Sequence, residues 1–139
     1  MKDKAFTILE ILVVISVIAV LIGISVPRFK GLQDAAKITQ VASELKTLQA
    51  AVESYKNNHN GTVPTNLTLL TSATPKIISS TLTDGLWGSG AYGYIPSSNG
   101  KFYVIYSRGL DKAQGVTAIT DAGAVTFTGD DTFVTNGPH

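Results

Sequence analysis

Hydrophobic and polar positions divide the chain into three regimes. From Phe6 to Val26 the sequence reads FTILEILVVISVIAVLIGISV, an almost unbroken apolar run. About 20 such residues in a helix span a bilayer's hydrocarbon core, so this is a membrane-helix pattern. From Phe29 onward the pattern turns amphipathic. Ile38, Val41, Leu45, Leu48, Val52 and Tyr55 recur three or four residues apart, while Lys37, Gln40, Glu44, Lys46, Gln49 and Lys56 fall opposite. That spacing lines one helical face. The run NNHNG at 57–61 supplies the stop, with Gly61 expected in a left-handed conformation. One helix of roughly 50 residues follows, about 75 Å long at 1.5 Å per residue. A lone coiled coil is the alternative, but the pattern lasts only about three heptads.

Past residue 58 the periodicity changes again. Residues 58–85 are rich in Thr, Ser, Asn and Pro, and Pro64 and Pro75 break any long element. Leu67, Leu69 and Leu70 predict a short turn of helix packed on the long one. Residues 86–139 carry strand-and-turn signals. Ala91–Pro96 and Lys101–Ser107 flank Ser98-Asn99-Gly100; Thr117–Thr120 and Ala124–Thr128 flank Asp121-Ala122-Gly123. Lys101–Ser107 is apolar on both faces, as a central covered strand is. Val125 and Phe127 alternate with Thr126 and Thr128, as in a half-buried strand. The predicted fold is α+β, with a four-stranded antiparallel sheet laid across the amphipathic half of the helix.

Two polar features interrupt the apolar run. Glu10 is a carboxylate in a segment where burying a charge costs on the order of 2.5–3.5 kcal/mol, which makes it a candidate functional residue. The alternative is an acid near the end of the span that snorkels to the headgroups. Gly23, Ser25 and Pro27 cluster at the other end, where a kink or local melting at 21–27 is expected. Lys2 and Lys4 precede the run and predict a cytoplasmic N-terminus. An ordinary secretory signal has a longer basic region and a small-residue cleavage site after the apolar run, and this segment has neither.

Composition removes several function classes. Charged residues are 15% and the formal net charge is +1, without the basic stripe that nucleic acid calls for. With no cysteine there is no disulfide staple. The two histidines do not assemble a Ser/His/Asp set, and HExxH, CxxC and phosphate-loop motifs are missing, so no enzyme activity is expected. His59 reads as a solvated helix end rather than a metal ligand. Tyr92, Tyr94, Tyr103, Tyr106 and Trp87 read as core and sheet-face residues rather than a stacking platform. Asn60-Gly61-Thr62 and Asn66-Leu67-Thr68 match the glycosylation sequon, a match that arises by chance in Thr-rich loops.

The N-terminal features together resemble the class III signal of the type IV pilin superfamily: a short charged leader, a Phe after the cut, Glu at the fifth mature position, then a hydrophobic helix. The resemblance implies a leader over 1–5, cleavage between Ala5 and Phe6 by a prepilin peptidase, and methylation of the new N-terminus. Ala5 replaces the usual Gly before the cut. Phe6, Glu10 and Pro27 become the assembly residues, with Glu10 pairing to a neighbouring subunit's N-terminal amine. The remaining regions are then a membrane and filament-core helix (6–27), its amphipathic half (28–57), a variable loop (58–85), and the sheet with its C-terminal loop (86–139).

The C-terminal segment extends the likeness. Asp84, Trp87, Gly88, Tyr92, Tyr94, Phe102, Tyr106, Ser107, Gly109 and Asp111 are similar to a motif of the major pseudopilins of type II secretion systems and of some related pilins. Such pseudopilins often hold calcium in the C-terminal loop, and Asp111 stands where one ligand would. Asp121, Asp130 and Asp131 are further acids, although the family's Gly- and Asn-rich acidic continuation is not evident, and solvated turn aspartates are the alternative. No other cofactor is implied.

The function implied is a structural subunit, a major pilin, of a type IV pilus-like filament. It would be held single-pass in the inner membrane and then carried into an extracellular pilus or a periplasmic pseudopilus. Its partners would be itself as a helical homopolymer, the prepilin peptidase, an assembly platform with minor pilins, and membrane lipid, with no nucleic acid required. A secretion pseudopilin, and a membrane-anchored binding protein that never assembles, remain the other readings.

Overall fold

A computed structural model describes residues 6–88 and 90–138. The elements in chain order are α1 (Ile8–Asn58), α2 (Leu69–Ser72), β1 (Gly93–Pro96), β2 (Tyr103–Ser107), β3 (Ala118–Ile119), β4 (Val125–Thr126) and β5 (Thr132–Thr135). The chain forms two compact units, one ending at Ala36 and one beginning at Lys37. The predicted α+β class, a long N-terminal helix with a small antiparallel sheet, is the observed one.

The first unit is helix. Residues 21–27, expected to kink or melt, stay helical, and α1 continues through Pro27. Serine in this apolar stretch is accommodated by the helix itself. Ser16 Oγ donates to the Leu12 carbonyl at 2.5 Å and Ser25 Oγ to the Leu21 carbonyl at 2.8 Å, so neither hydroxyl needs water.

The second unit is built on the amphipathic part of α1. Val41, Leu45, Leu48 and Val52 are fully buried, whereas Ile38, expected on the same face, is 39% exposed. The covered stripe therefore begins one turn later than the periodicity suggests. The helix closes where expected. Gly61 has φ 80° and its N–H donates to the Lys56 carbonyl at 2.9 Å, a left-handed stop that satisfies a terminal carbonyl. Leu70 of the short α2 is fully buried in the same core.

Strand β2 is the centre of the unit. The sheet runs β1-β2-β5, both pairings antiparallel, and all five residues of β2 are buried. Its alternation serves two cores. Tyr103 and Ile105, with Tyr94 and Val134, pack with the helix stripe. Val104 and Tyr106, with Ile95 and Phe133, pack with Val116, Ile119 and Val125. The result is three layers, with the helix on one sheet face and a β3–β4 ribbon on the other.

That arrangement differs from a single four-stranded sheet. The hairpin around Asp121-Ala122-Gly123 forms, with Gly123 at φ 87° and the Thr120 N–H on the Ala124 carbonyl at 2.9 Å. It covers the far face as a separate two-stranded ribbon. The place beside β2 goes to β5, which the sequence assigns to the C-terminal loop. Its Phe133 and Val134 serve opposite cores, and Gln49 Nε2 of α1 donates to the Thr135 carbonyl at 3.0 Å. Alternation shows which strands pair in a hairpin, but not which sheet the hairpin joins. Strand β4 also ends at Thr126, leaving Phe127 50% exposed rather than half-buried in a strand. The β1–β2 connection is likewise wider than a two-residue turn. Ser97 N–H meets the Phe102 carbonyl at 2.8 Å, and Asn99 Oδ1 accepts from Ser97 Oγ at 2.7 Å and Lys101 N–H at 3.0 Å.

Gly93 faces Tyr106 across the β1–β2 ladder, and a Cβ built on Gly93 would lie 2.1 Å from the Tyr106 ring. The bare glycine lets the ring lie across the strand. Gly93→Ala should therefore destabilise the fold by about 1–3 kcal/mol, the usual cost of overpacking. The check is the denaturation midpoint of the detergent-solubilised chain; an unchanged midpoint would mean the ring does not lie there.

Candidate functional site

The expected site residues fall in two regions, the start of the apolar helix and the C-terminal loop. Ala5 and the rest of the leader lie outside the described residues. Phe6 is 78% exposed, and the large apolar residues from Ile8 to Val26 are exposed with it. An 18-residue window of α1 has a mean hydropathy of 2.9 with none of it buried. The helix is thus long and apolar enough to cross a membrane.

Glu10 is held by its own helix start. Thr7 N–H donates to Glu10 Oε2 at 3.0 Å and Thr7 Oγ1 donates to the same oxygen at 3.1 Å. Glu10 N–H returns a 3.3 Å bond to Thr7 Oγ1. This is a capping box, which satisfies orphan N–H groups at a helix N-terminus and places an acid where the helix dipole favours it. The sequence carries its signature, Thr7-Ile8-Leu9-Glu10, which hydropathy reasoning passed over. Pro27, the third residue expected to serve assembly, lies inside α1, well along from Glu10.

In the second unit, Asp84 organises a buried knot and is 1% exposed. Its Oδ1 accepts from Leu86 N–H at 2.9 Å and Ser107 Oγ at 2.8 Å; its Oδ2 accepts from Arg108 N–H at 3.2 Å. The Arg108 guanidinium stands 3.8 Å over the Trp87 ring, a cation–π contact that covers the knot. Asp84, Trp87 and Ser107 of the C-terminal motif therefore tie the 84–88 loop to the end of β2.

The tyrosines are structural, as expected. Tyr92 donates to Glu44 Oε2 at 2.5 Å, Tyr103 to Glu53 Oε1 at 2.9 Å and Tyr94 to the Pro64 carbonyl at 2.7 Å. Burial, and then the neighbouring carboxylates, push the Tyr92 and Tyr103 hydroxyls far above the usual phenol range. Both remain donors to the helix at any physiological pH. His59 stacks on Tyr55 with centroids 3.8 Å apart, and its Nδ1 lies 2.9 Å from the Tyr55 carbonyl. It is engaged at the helix end.

Asp111, Asp130 and Asp131 converge, each offering one carboxylate oxygen within 4.8 Å of the others. The loops are built to hold them. Asp111 Oδ1 accepts from Ala113 N–H at 2.8 Å and Asp130 Oδ2 from Leu110 N–H at 3.0 Å. Asp131 Oδ2 accepts from the Gly115 and Val116 N–H groups, both at 2.8 Å. Gly109, at φ 65°, admits Asp130, since a Cβ there would sit 2.4 Å from Asp130 Oδ1. Among the described residues no lysine or arginine nitrogen lies within 4.0 Å of these carboxylates. Asp111 and Asp130 are exposed and Asp131 is half-buried. Hard carboxylate oxygens at this spacing suit calcium, whose remaining positions carbonyls and water would fill. Asp121 is elsewhere; its Oδ1 accepts from Asn99 N–H at 2.9 Å.

Comparison with known proteins bears on the first of these regions. Residues 1–26 match the family model described as the prokaryotic N-terminal methylation motif. A type II secretion system core protein G from Klebsiella pneumoniae is 36% identical over 74 residues, covering 52% of this chain and 53% of the relative. The protein of the same name from Escherichia coli strain K12 is 36% identical over 74 residues, with 52% and 51% covered. A fimbrial protein from Pseudomonas aeruginosa is 29% identical over 90 residues, with 60% and 54% covered. The chain thus spans about half the length of the curated relatives it matches. No solved structure matches it. The methylation motif, these relatives, and a long N-terminal helix with a small antiparallel sheet are those of the type IV pilin superfamily.

Proposed function

We propose that the chain is a structural subunit, a major pilin, of a type IV pilus-like helical filament. The observation that carries this reading is the apolar surface of α1 from Ile8 to Val26, uncovered in the single chain, with Glu10 near its start as its one charged residue. Before assembly the segment would be a single-pass anchor in the inner membrane, with the N-terminus cytoplasmic. After cleavage between Ala5 and Phe6 by a prepilin peptidase, the same segments from many copies would pack as the filament core, with the assembly platform and minor pilins as further partners. The subunit has a structural rather than an enzymatic role.

Glu10 then has two partners in turn. In the free subunit Thr7 satisfies it, and cleavage before Phe6 leaves that box intact. In the filament, the methylated amine of a neighbour approaches it through a medium of low dielectric, where opposite charges attract strongly. A subunit out of register would leave a charge unpaired in hydrocarbon, which is costly. Glu10→Ala and Glu10→Gln should both give inserted, folded subunits with at least about tenfold fewer fibres, a typical penalty for an unpaired buried charge. Glutamine keeps the acceptor for Thr7, so its failure assigns the effect to charge. A normal fibre count in both variants, by electron microscopy, would contradict the reading.

A second reading, a secretion pseudopilus, draws support from Asp111 and the Asp84 knot, which sit in the segment that resembles pseudopilins. Under either reading we propose that calcium bound by Asp111, Asp130 and Asp131 clamps the C-terminal loop. At 100 times its dissociation constant, the ion would add about 2.7 kcal/mol of stability. Calcium should therefore raise the melting temperature and chelator lower it, and Asp111→Asn should abolish the difference. Identical melting with calcium and with chelator would rule the clamp out.

A further inference from the structure

Three asparagines in this chain are followed by glycine: Asn60-Gly61, Asn99-Gly100 and Asn136-Gly137. In such a pair the glycine nitrogen can attack the asparagine side-chain carbonyl carbon, and a glycine, with no side chain, leaves that approach open. Asparagine is among the thermolabile residues. The attacking N–H is engaged at all three sites. Gly61 N–H donates to the Lys56 carbonyl at 2.9 Å, Gly100 N–H to the Ser97 carbonyl at 3.1 Å and Gly137 N–H to Thr135 Oγ1 at 3.0 Å. What separates the sites is the group under attack.

The Asn99 and Asn136 side chains are built into the fold. Asn99 Oδ1 accepts from Ser97 Oγ at 2.7 Å and from Lys101 N–H at 3.0 Å, and its Nδ2 donates to the Asp121 carbonyl at 2.9 Å. Asn136 Oδ1 accepts from Tyr103 N–H at 3.0 Å, and its Nδ2 donates to the Lys101 carbonyl at 2.9 Å. Swinging either carboxamide onto the next nitrogen would break these bonds. Asn60 is different. It is exposed, and among the described residues its side chain makes no hydrogen bond. Its backbone is left-handed, with φ 54°, just past the end of α1 at Asn58. Helix ends fray, so the bond from Gly61 to Lys56 is of the kind that opens by local fluctuation.

We propose that Asn60 is a self-modifying site, deamidated and isomerised through a succinimide, while the fold protects Asn99 and Asn136. The Gly61 nitrogen bonds to Asn60 Cγ, the Cγ–Nδ2 bond breaks, and ammonia leaves with the proton that the Gly61 nitrogen gives up. Water then opens the ring at either carbonyl and restores the Gly61 N–H. One opening gives aspartate. The other gives isoaspartate, in which the main chain runs through Cβ and Cγ. Both products place a carboxylate beside the C-terminal end of α1, the pole at which the helix dipole disfavours negative charge. Both also cancel the formal net charge of +1 and remove the Asn60-Gly61-Thr62 sequon. Isoaspartate in addition lengthens the main chain at the left-handed stop. The junction between α1 and the 58–85 loop is thus where an old copy of the chain differs from a new one.

The test is peptide mapping by mass spectrometry of the full detergent-solubilised chain, held folded at neutral pH for days. Deamidation exchanges a side-chain NH2 for OH, so each Asn-Gly peptide reports its own conversion by mass. Chromatography against synthetic standards separates aspartate from isoaspartate. Asn60 should convert about tenfold or more faster than Asn99 or Asn136, since each of those must first release two or more hydrogen bonds. In urea the three should convert at similar rates, because only the local sequence is left to act. Asn60→Gln should erase the signal at 60 and leave the other two sites unchanged, because the longer side chain closes a larger ring slowly. Equal rates at the three sites of the folded chain would overturn the proposal. So would an Asn60 that converts only in urea, which would mean that the helix stop holds the Gly61 nitrogen. An Asn60 that keeps its full lead in urea would overturn protection by the fold, and aspartate without isoaspartate would overturn the ring step.

Discussion

The uncovered apolar surface of the first part of α1 sets the terms for the whole molecule. Leaving one large apolar side chain in water forfeits roughly 1.5–3 kcal/mol, and fourteen of the nineteen positions from Ile8 to Val26 are such side chains. The segment can persist only in lipid or against other apolar helices. In either medium each polar group must be satisfied internally. The helix does this with its own backbone, with Ser16 and Ser25 turned onto carbonyls, and with Glu10 folded back on Thr7. Under the proposed filament reading the carboxylate would distinguish this helix from a plain anchor, because its bonding partner would be exchanged for a charged one.

The later part of the same helix solves a different problem. There an apolar stripe packs under one face of a sheet, and long side chains reach across the boundary to pin the register. Gln49, Glu44 and Glu53 receive or give bonds to Thr135, Tyr92 and Tyr103. Together with the Asp84 knot these leave no buried side-chain polar atom without a partner among the described residues. Buried polar groups that are fully satisfied specify one arrangement, because any alternative would strand some of them. Apolar packing holds helix to sheet, and the hydroxyl–carboxylate bonds fix how they meet.

Much of this was legible in the sequence, for physical reasons. An apolar run followed by a three-and-four repeat can only be a helix that changes solvent, and the Gly61 stop and the Asp121–Gly123 hairpin have strong local signatures. The end of the chain was less legible. Residues 132–135 (TFVT) carry too short an alternation to mark a strand, and only pairing with β2 identifies one. Ile38 keeps the helical period yet falls beyond the edge of the sheet's cover. The site divided in the same way. Glu10 stood out because a carboxylate is costly in an apolar run, while the Thr7 box needed attention to capping. Asp111 was marked by resemblance, but its convergence with Asp130 and Asp131 rather than Asp121 depends on how the last loops fold back. Asp84 was visible only as a motif letter, since four partners spread over residues 86–108 are tertiary information.

The central claim is that the apolar helix serves as the core of a polymer and not only as an anchor. It is tested most directly by electron microscopy of material sheared from native cells, with the intact mass of its main small protein. The account predicts fibres built of a chain that begins at a methylated Phe6; a processed chain confined to short, cell-bound fibres would shift the balance to a pseudopilus. A membrane protein that retains Met1 and enters no fibre would contradict it.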